Sequence, residues 1–172
     1  MTADLILYEK KDGIATITMD RPKKKNSLIP SMIIDMIDAL ERARQDHAVR
    51  AIVLRGGGGT FCAGDDLHHS YEERFEFGQP DLHTRLRTGY PRLIIDIMTL
   101  RKPVVAMVQG YAYGGGFDIA LACDFRFAAK SAKFAAAYQA RNGRRMRLSP
   151  AALCGPGQSD RAPVAGRDHP HG

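Results

Sequence analysis

One stretch, Val104-Val-Ala-Met-Val-Gln-Gly-Tyr-Ala-Tyr-Gly-Gly-Gly-Phe-Asp-Ile-Ala-Leu-Ala-Cys-Asp124, constrains this chain more than any other. The apolar run Val104 to Val108 does not alternate, which suits a strand covered on both faces. Gly110 and then Gly114, Gly115 and Gly116 let the backbone turn sharply, and Asp118 follows within the first turn of a helix. Unpaired N–H groups at a helix N-terminus attract negative charge. The junction therefore suits an oxyanion held beside a carboxylate that takes or gives a proton. A packing turn between strand and helix fits the junction equally well, so the rest of the chain has to decide.

With 172 residues, 44% of them hydrophobic, the chain is long enough for one domain with a core of its own. No apolar run approaches the roughly 18 residues of a membrane span. Met1 to Lys10 shows no charged region followed by an apolar one, so no secretory signal is expected and the cytoplasm is the expected location. Cys62, Cys123 and Cys154 are odd in number, far apart and free of a CxxC pair, which argues against a disulfide framework or a zinc cage and for buried thiols. The net charge is +6, but residues 141–172 hold six arginines against two aspartates and so account for +4 of it. No aromatic residues are interleaved with those arginines to stack on bases, and specific nucleic-acid binding is not expected.

Around the central stretch the periodicities change in a regular way. Leu5 to Lys10 and Gly13 to Met19 flank Lys11-Asp-Gly13 and read as a hairpin. Asp20 to Ser27 is a polar loop with three consecutive lysines, a run that suits either solvent or a phosphorylated ligand. Ile33, Met36, Ile37, Leu40 and Ala43 fall at three- and four-residue steps and predict a helix from Ser31 to about Asp46, with Pro30 just before it. Ala51 to Leu54 reads as a buried strand. Helical spacing returns over Leu82 to Leu100, with Pro91 expected to break it, and Phe125–Ala129 and Ala132–Ala136 read as extended pieces. Tyr71 to Pro80 has no clear period and suits a loop that covers a pocket. From Arg141 onward glycines, prolines and arginines prevail without periodicity, so residues 1–140 are expected to form the core and 141–172 a disordered or non-native tail.

The glycines of Gly56 to Gly59 follow a strand, yet no Gly-Lys-Ser/Thr ends the run and no GxGxxG opens a helix, so both nucleotide motifs are excluded. His68 and His69 lack the i, i+4 spacing of helical metal ligands, and no metal is expected.

Three separated pieces, Arg21-Pro-Lys-Lys-Lys-Asn-Ser-Leu28, Phe61-Cys-Ala-Gly-Asp-Asp-Leu67 and Lys102-Pro-Val through Gly110-Tyr-Ala-Tyr-Gly-Gly-Gly-Phe-Asp-Ile-Ala to Cys123-Asp124, resemble the enoyl-CoA hydratase/isomerase (crotonase) family over residues 5 to 137. The resemblance implies an α/β fold, a crotonase-like spiral of ββα units, assembled as a homotrimer or a hexamer. It implies an acyl-CoA substrate, no cofactor beyond the coenzyme A moiety of that substrate, and the degradation of fatty or aromatic acids as a setting. It further implies an oxyanion hole made by the amides of Asp65 and Gly115 for a thioester enolate. Losing one such donor costs roughly 10²–10³ in rate. Asp118 stands as the proton-transfer group. The adenine is expected against the backbone of Phe61, Cys62, Ala63 and Gly64, with Lys24 and Lys25 beside the phosphates. The Asp65 carboxylate, repulsive to an enolate, is expected to point away. Asp66 is expected to bond local amides, and Asp124 to pair or cap near the surface.

The chain departs from the family pattern in two ways. Hydratases of the family carry two glutamates, where this chain has Asp118 at the first position and nothing acidic near Tyr138 at the second. Hydration, isomerisation and thioester hydrolysis therefore stay open as reactions, with Tyr138 expected to be structural. The family's C-terminal helical region is also missing, replaced by a tail that suggests a truncated or frame-shifted product. The alternative to an enzyme is then a non-catalytic remnant that binds acyl-CoA or a partner subunit.

Overall fold

The structure is a computed structural model that describes residues 4–66 and 89–136, together with the backbone of 147–148. Its main sheet has five strands in the order β1-β2-β3-β4-β6, where β1 is Ile6–Lys11, β2 Ile14–Met19, β3 Ala51–Gly56, β4 Val104–Val108 and β6 Phe125–Ala128. The opening hairpin is antiparallel, with Lys11 opposite Ile14 across the Asp12-Gly13 turn. All later neighbours are parallel.

Alternation along the strands selects the inner face. Ala15, Ile17 and Met19 from β2, Ile52 and Leu54 from β3, and Val104, Ala106 and Val108 from β4 are buried in one continuous core. Helix α1, Pro30–Gln45, sets Met32, Met36, Leu40 and Ala43 into the same core, with a proline at its start where a missing N–H costs nothing. Helix α2, Tyr90–Thr99, adds Leu93 and Ile97. A proline, Pro91, also sits at the start of α2. The part of the expected helix before residue 89 lies outside the described residues, as do Tyr71 to Pro80.

β4 is not covered on both faces. Met107 on its outer side is 41% exposed, next to Phe125 and Phe127 of β6 at 58% and 68%. Among the described residues no element packs over this side.

The smaller sheet explains the topology. Its strands are β5 (Tyr111–Tyr113), β7 (Lys133–Ala135) and β8 (Arg147–Leu148), in that order. Cys62 extends it by a parallel bridge to Ala112, and Leu28 forms a further parallel bridge with Asp65. Each strand of the main sheet after β1 is thus followed by a short partner in a second ladder: β2 by Leu28, β3 by Cys62 to Asp65, β4 by β5, and β6 by β7. After β2 and β5 a helix returns the chain, α1 in the first case and α3, Gly115–Ala122, in the second. This repeated advance is the spiral of ββα units. β8 pairs antiparallel with β7. The other residues of 137–172, Tyr138 and Cys154 included, lie outside the described residues.

Candidate active site

The second ladder brings the three sequence pieces together. The first is held by Asn26, fully buried, whose side chain accepts from the Arg21 amide at 2.8 Å and donates to the carbonyls of Gly57 at 3.0 Å and Thr60 at 2.6 Å. Arg21 reaches the second piece: its guanidinium donates to Asp66 Oδ2 at 2.6 Å and to Ser27 Oγ at 3.0 Å. Asp66 is 8% exposed, so the pair is largely removed from water. Asp66 therefore anchors a guanidinium across two loops. The backbone closes the joint, with Leu28 N–H donating to Gly64 O, Asp66 N–H to Leu28 O and Ala63 N–H to Lys25 O.

The second and third pieces meet where two glycines permit it. Gly64 has φ +93°, and a Cβ there would lie 2.7 Å from the carbonyl oxygen of Tyr113 and 3.5 Å from the amide nitrogen of Gly115. A Cβ on Gly116 would lie 2.4 Å from the carbonyl oxygen of Cys62. Only glycine allows either approach. The peptide leading into Asp65 consequently lies against the first residue of α3. Among the described residues no backbone carbonyl accepts from the amides of Asp65 or Gly115, whereas the amides of Phe61, Cys62 and Ala63 are taken by Gln109, Tyr111 and Lys25. The Gly115 amide thus sits beside the Asp65 amide, which faces its own carboxylate, at the N-terminus of a buried helix, where the peptide dipoles favour negative charge.

Three polar side chains surround this point. Asp118, half-buried, lies in the first turn of α3. Tyr90, the first residue of α2, donates its hydroxyl to the carbonyl of Gly115 at 2.7 Å and to Asp118 Oδ2 at 3.2 Å, one proton shared between two acceptors. Asp65 turns its carboxylate inward, since a methyl group placed on Gly115 would meet Asp65 Oδ1 at 3.4 Å and the Tyr90 hydroxyl at 3.3 Å. This overturns the outward orientation expected for that side chain. Residue 65 keeps an exposed edge. Even so, desolvation by the surrounding protein, followed by the charge of Asp118, raises the Asp65 carboxyl above the usual carboxylate range, against a smaller lowering by its own amide. Tyr90 was missed by sequence reasoning, because an aromatic at a helix start reads as packing.

The remaining predicted residues occupy the rim or the core. Phe61 and Cys62 are fully buried, so they present only backbone, and burial pushes the Cys62 thiol up to about 12. Lys24 and Lys25 are exposed, and Lys25 Nζ stands 5.0 Å from the centre of the Tyr111 ring, with Lys133 Nζ 5.7 Å from the same ring. Lys133 adds a cation that the sequence reading did not single out. Lys102 caps α1, donating to the carbonyls of Ala43 and Asp46 at 2.7 Å each. Asp124 Oδ2 accepts from the Val104 amide at 2.8 Å, the surface capping expected of it. His68 and His69 lie outside the described residues. Among the described residues no group of three His, Cys, Asp or Glu side chains could hold a metal ion, and no helix is long and apolar enough to cross a membrane.

Comparison with known proteins follows the same lines. The sequence profile described as Enoyl-CoA hydratase/isomerase matches residues 9–142. The "Probable enoyl-CoA hydratase" of Rhodobacter capsulatus is 41% identical over 138 residues, which is 80% of this chain and 51% of that protein. The (E)-benzylidenesuccinyl-CoA hydratase of Thauera aromatica is 38% identical over 130 residues, 75% of this chain and 48% of the relative. Among solved structures, an enoyl-CoA hydratase/isomerase (crotonase) assignment from Legionella pneumophila superposes with a TM-score of 0.73 at 34% identity, covering 88% of this chain and 56% of the other. The enoyl-CoA hydratase of Polaromonas sp. JS666 gives 0.71 at 34% identity, covering 79% and 52%. The chain spans about half the length of these relatives. With the profile matched over most of the chain and the spiral of its fold shared with crotonase structures, the chain belongs to the enoyl-CoA hydratase/isomerase family.

Proposed function

We propose that this chain binds an acyl-CoA thioester and stabilises its enolate between the amides of Asp65 and Gly115, with Asp118 transferring the proton. Two neighbouring amides that meet no backbone carbonyl among the described residues, with a carboxylate beside them, are the observation that carries this reading. An enolate oxygen gains more from such donors than a neutral carbonyl does, which lowers the barrier to breaking the C–H bond next to the thioester. The cations Lys24 and Lys25, joined by Lys133, suit the coenzyme phosphates. The backbone from Phe61 to Gly64 suits the adenine, because the side chains of Phe61 and Cys62 are turned into the core. The resulting activity is of the hydratase or isomerase type, on thioesters of fatty or aromatic acids. The family's trimers or hexamers and a cytoplasmic setting belong to the same reading.

Enolate formation is testable without knowing the natural acyl group. Butyryl-CoA in D₂O should exchange its α-protons in the presence of the chain, followed by proton NMR. Asp118→Asn should retain butyryl-CoA binding by calorimetry while exchange falls by about 10²–10⁴, the usual range for a general base. Unchanged exchange would remove Asp118 from the mechanism. The half-length match to the relatives favours one second reading, a non-catalytic binding remnant. Binding by the wild-type chain with no exchange would establish that reading instead.

A further inference from the structure

We propose that the side chain of Asp65, and not its amide alone, is a second proton-transfer group of this site, acting with Asp118 across Gly115 while Tyr90 fixes Asp118 in place. The proposal rests on the enolate-forming function above and supplies what that function lacks, a second acid–base group. Three observations support it. The Asp65 carboxylate lies against Gly115, the residue whose amide is the other oxyanion donor. The Tyr90 hydroxyl reaches the same residue from α2 and also bonds Asp118, so one hydroxyl ties Asp118 to the backbone position that the Asp65 carboxylate lies against. Finally, Asp118 and Asp65 interact electrostatically, and that interaction together with desolvation favours the protonated form of Asp65.

Other groups near Asp65 do not supply the missing charge. The Cys62 thiol, close enough for Asp65 to influence it, stays protonated because it is buried. Arg21 is committed to Asp66. Desolvation and the nearby like charge both favour a proton on Asp65. A neutral carboxylic acid also removes the repulsion that an ionised Asp65 would exert on an enolate.

The proton steps balance without any further reagent. Asp118, as carboxylate, takes the α-proton, and the C–H electron pair moves onto the thioester oxygen held by the two amides. Asp65, as carboxylic acid, gives its proton to a carbon of the enolate and keeps the O–H electrons. Transfer of the proton from Asp118 to Asp65 then restores the starting pair. Tyr90 is a positioning residue in this scheme, since it acts through Asp118.

The test uses the full chain and butyryl-CoA in D₂O, with exchange rates measured across pH. Asp65→Asn preserves the backbone donor and nearly the shape of the side chain. Its exchange should fall by about 10²–10⁴ with binding of butyryl-CoA intact, and the alkaline limb of the wild-type pH profile should disappear. Tyr90→Phe should lower the rate without weakening binding, because Asp118 loses the hydroxyl that orients it. A fold-independent measurement accompanies these. In ¹³C carboxyl NMR titrations of the protein alone, the Asp65 pKa should drop in Asp118→Asn. Exchange by Asp65→Asn equal to or faster than wild type would overturn the role of Asp65 while leaving the enolate function standing. An Asp65 titration indifferent to Asp118→Asn would overturn the pairing. A wild-type chain that exchanges no α-proton would sink the function itself and the catalytic role of Asp65 with it.

Discussion

Asp65 meets its surroundings through two groups with opposite electrostatic preferences. Its amide favours negative charge in front of α3, whereas its ionised carboxylate opposes it. Because the folded state raises the Asp65 pKa, it binds this proton more tightly than the unfolded chain does. Stability contributed by that proton is present below the ordinary carboxyl range and is lost as pH rises through the raised folded value. Asp65→Asn, which cannot ionise, should therefore melt higher than wild type at neutral pH, with the gap closing below about pH 4. Thermal melts followed by far-UV circular dichroism at both ends of this range decide the matter, and a gap that persists in acid would contradict it. The placement of Gly115 and Asp118 in the first turn of α3 was legible in the sequence, because the glycines that turn the chain into the helix stand next to them. The direction of the Asp65 side chain and the reach of the Tyr90 hydroxyl were not, since both depend on how α2 packs against α3, which no local pattern encodes.

Two helices, α1 and α3, end on cations drawn from other elements. Lys102 enters the C-terminal turn of α1 from the loop before β4, and Arg126 of β6 donates to the carbonyls of Ala120, Leu121 and Cys123 at the end of α3. Each cation satisfies carbonyls that a helix leaves unpaired and opposes the negative end of its dipole. Lys102→Met should cost about 1–2 kcal/mol, from two charge-assisted bonds partly replaced by water. Urea denaturation would show it as a lower midpoint with an unchanged slope, and an unchanged midpoint would mean that solvent caps α1 equally well. At this scale α1 and the opening hairpin were legible, because their apolar residues recur at three- and four-residue or two-residue steps over long runs. β5 was not, since a three-residue strand inside a glycine-rich stretch has no period of its own and exists through its pairing with β7 and Cys62. β8 was hidden for the same reason.

At the scale of the molecule, the spiral puts residues from consecutive turns side by side, so Arg21, Asp66 and Gly115 become neighbours although they are far apart in the chain. That convergence made the family recognisable from three short pieces, each of which alone fits a packing turn or a solvated loop. One face of the same architecture bears on how the molecule behaves in a laboratory. Met107, Phe125 and Phe127 stand outward in adjacent rows of β4 and β6, with Leu121 exposed in the helix that leads into β6. Apolar groups gathered in this way attract environment-sensitive dyes. The native chain should therefore brighten anilinonaphthalene sulfonate before any heating, and Phe127→Lys should dim that signal. No change on substitution would place the dye elsewhere. A dye-monitored melt of this protein would thus begin from a bright baseline, and with no tryptophan in the chain to report in its stead, the six tyrosines and the backbone signal become the more faithful witnesses to its unfolding.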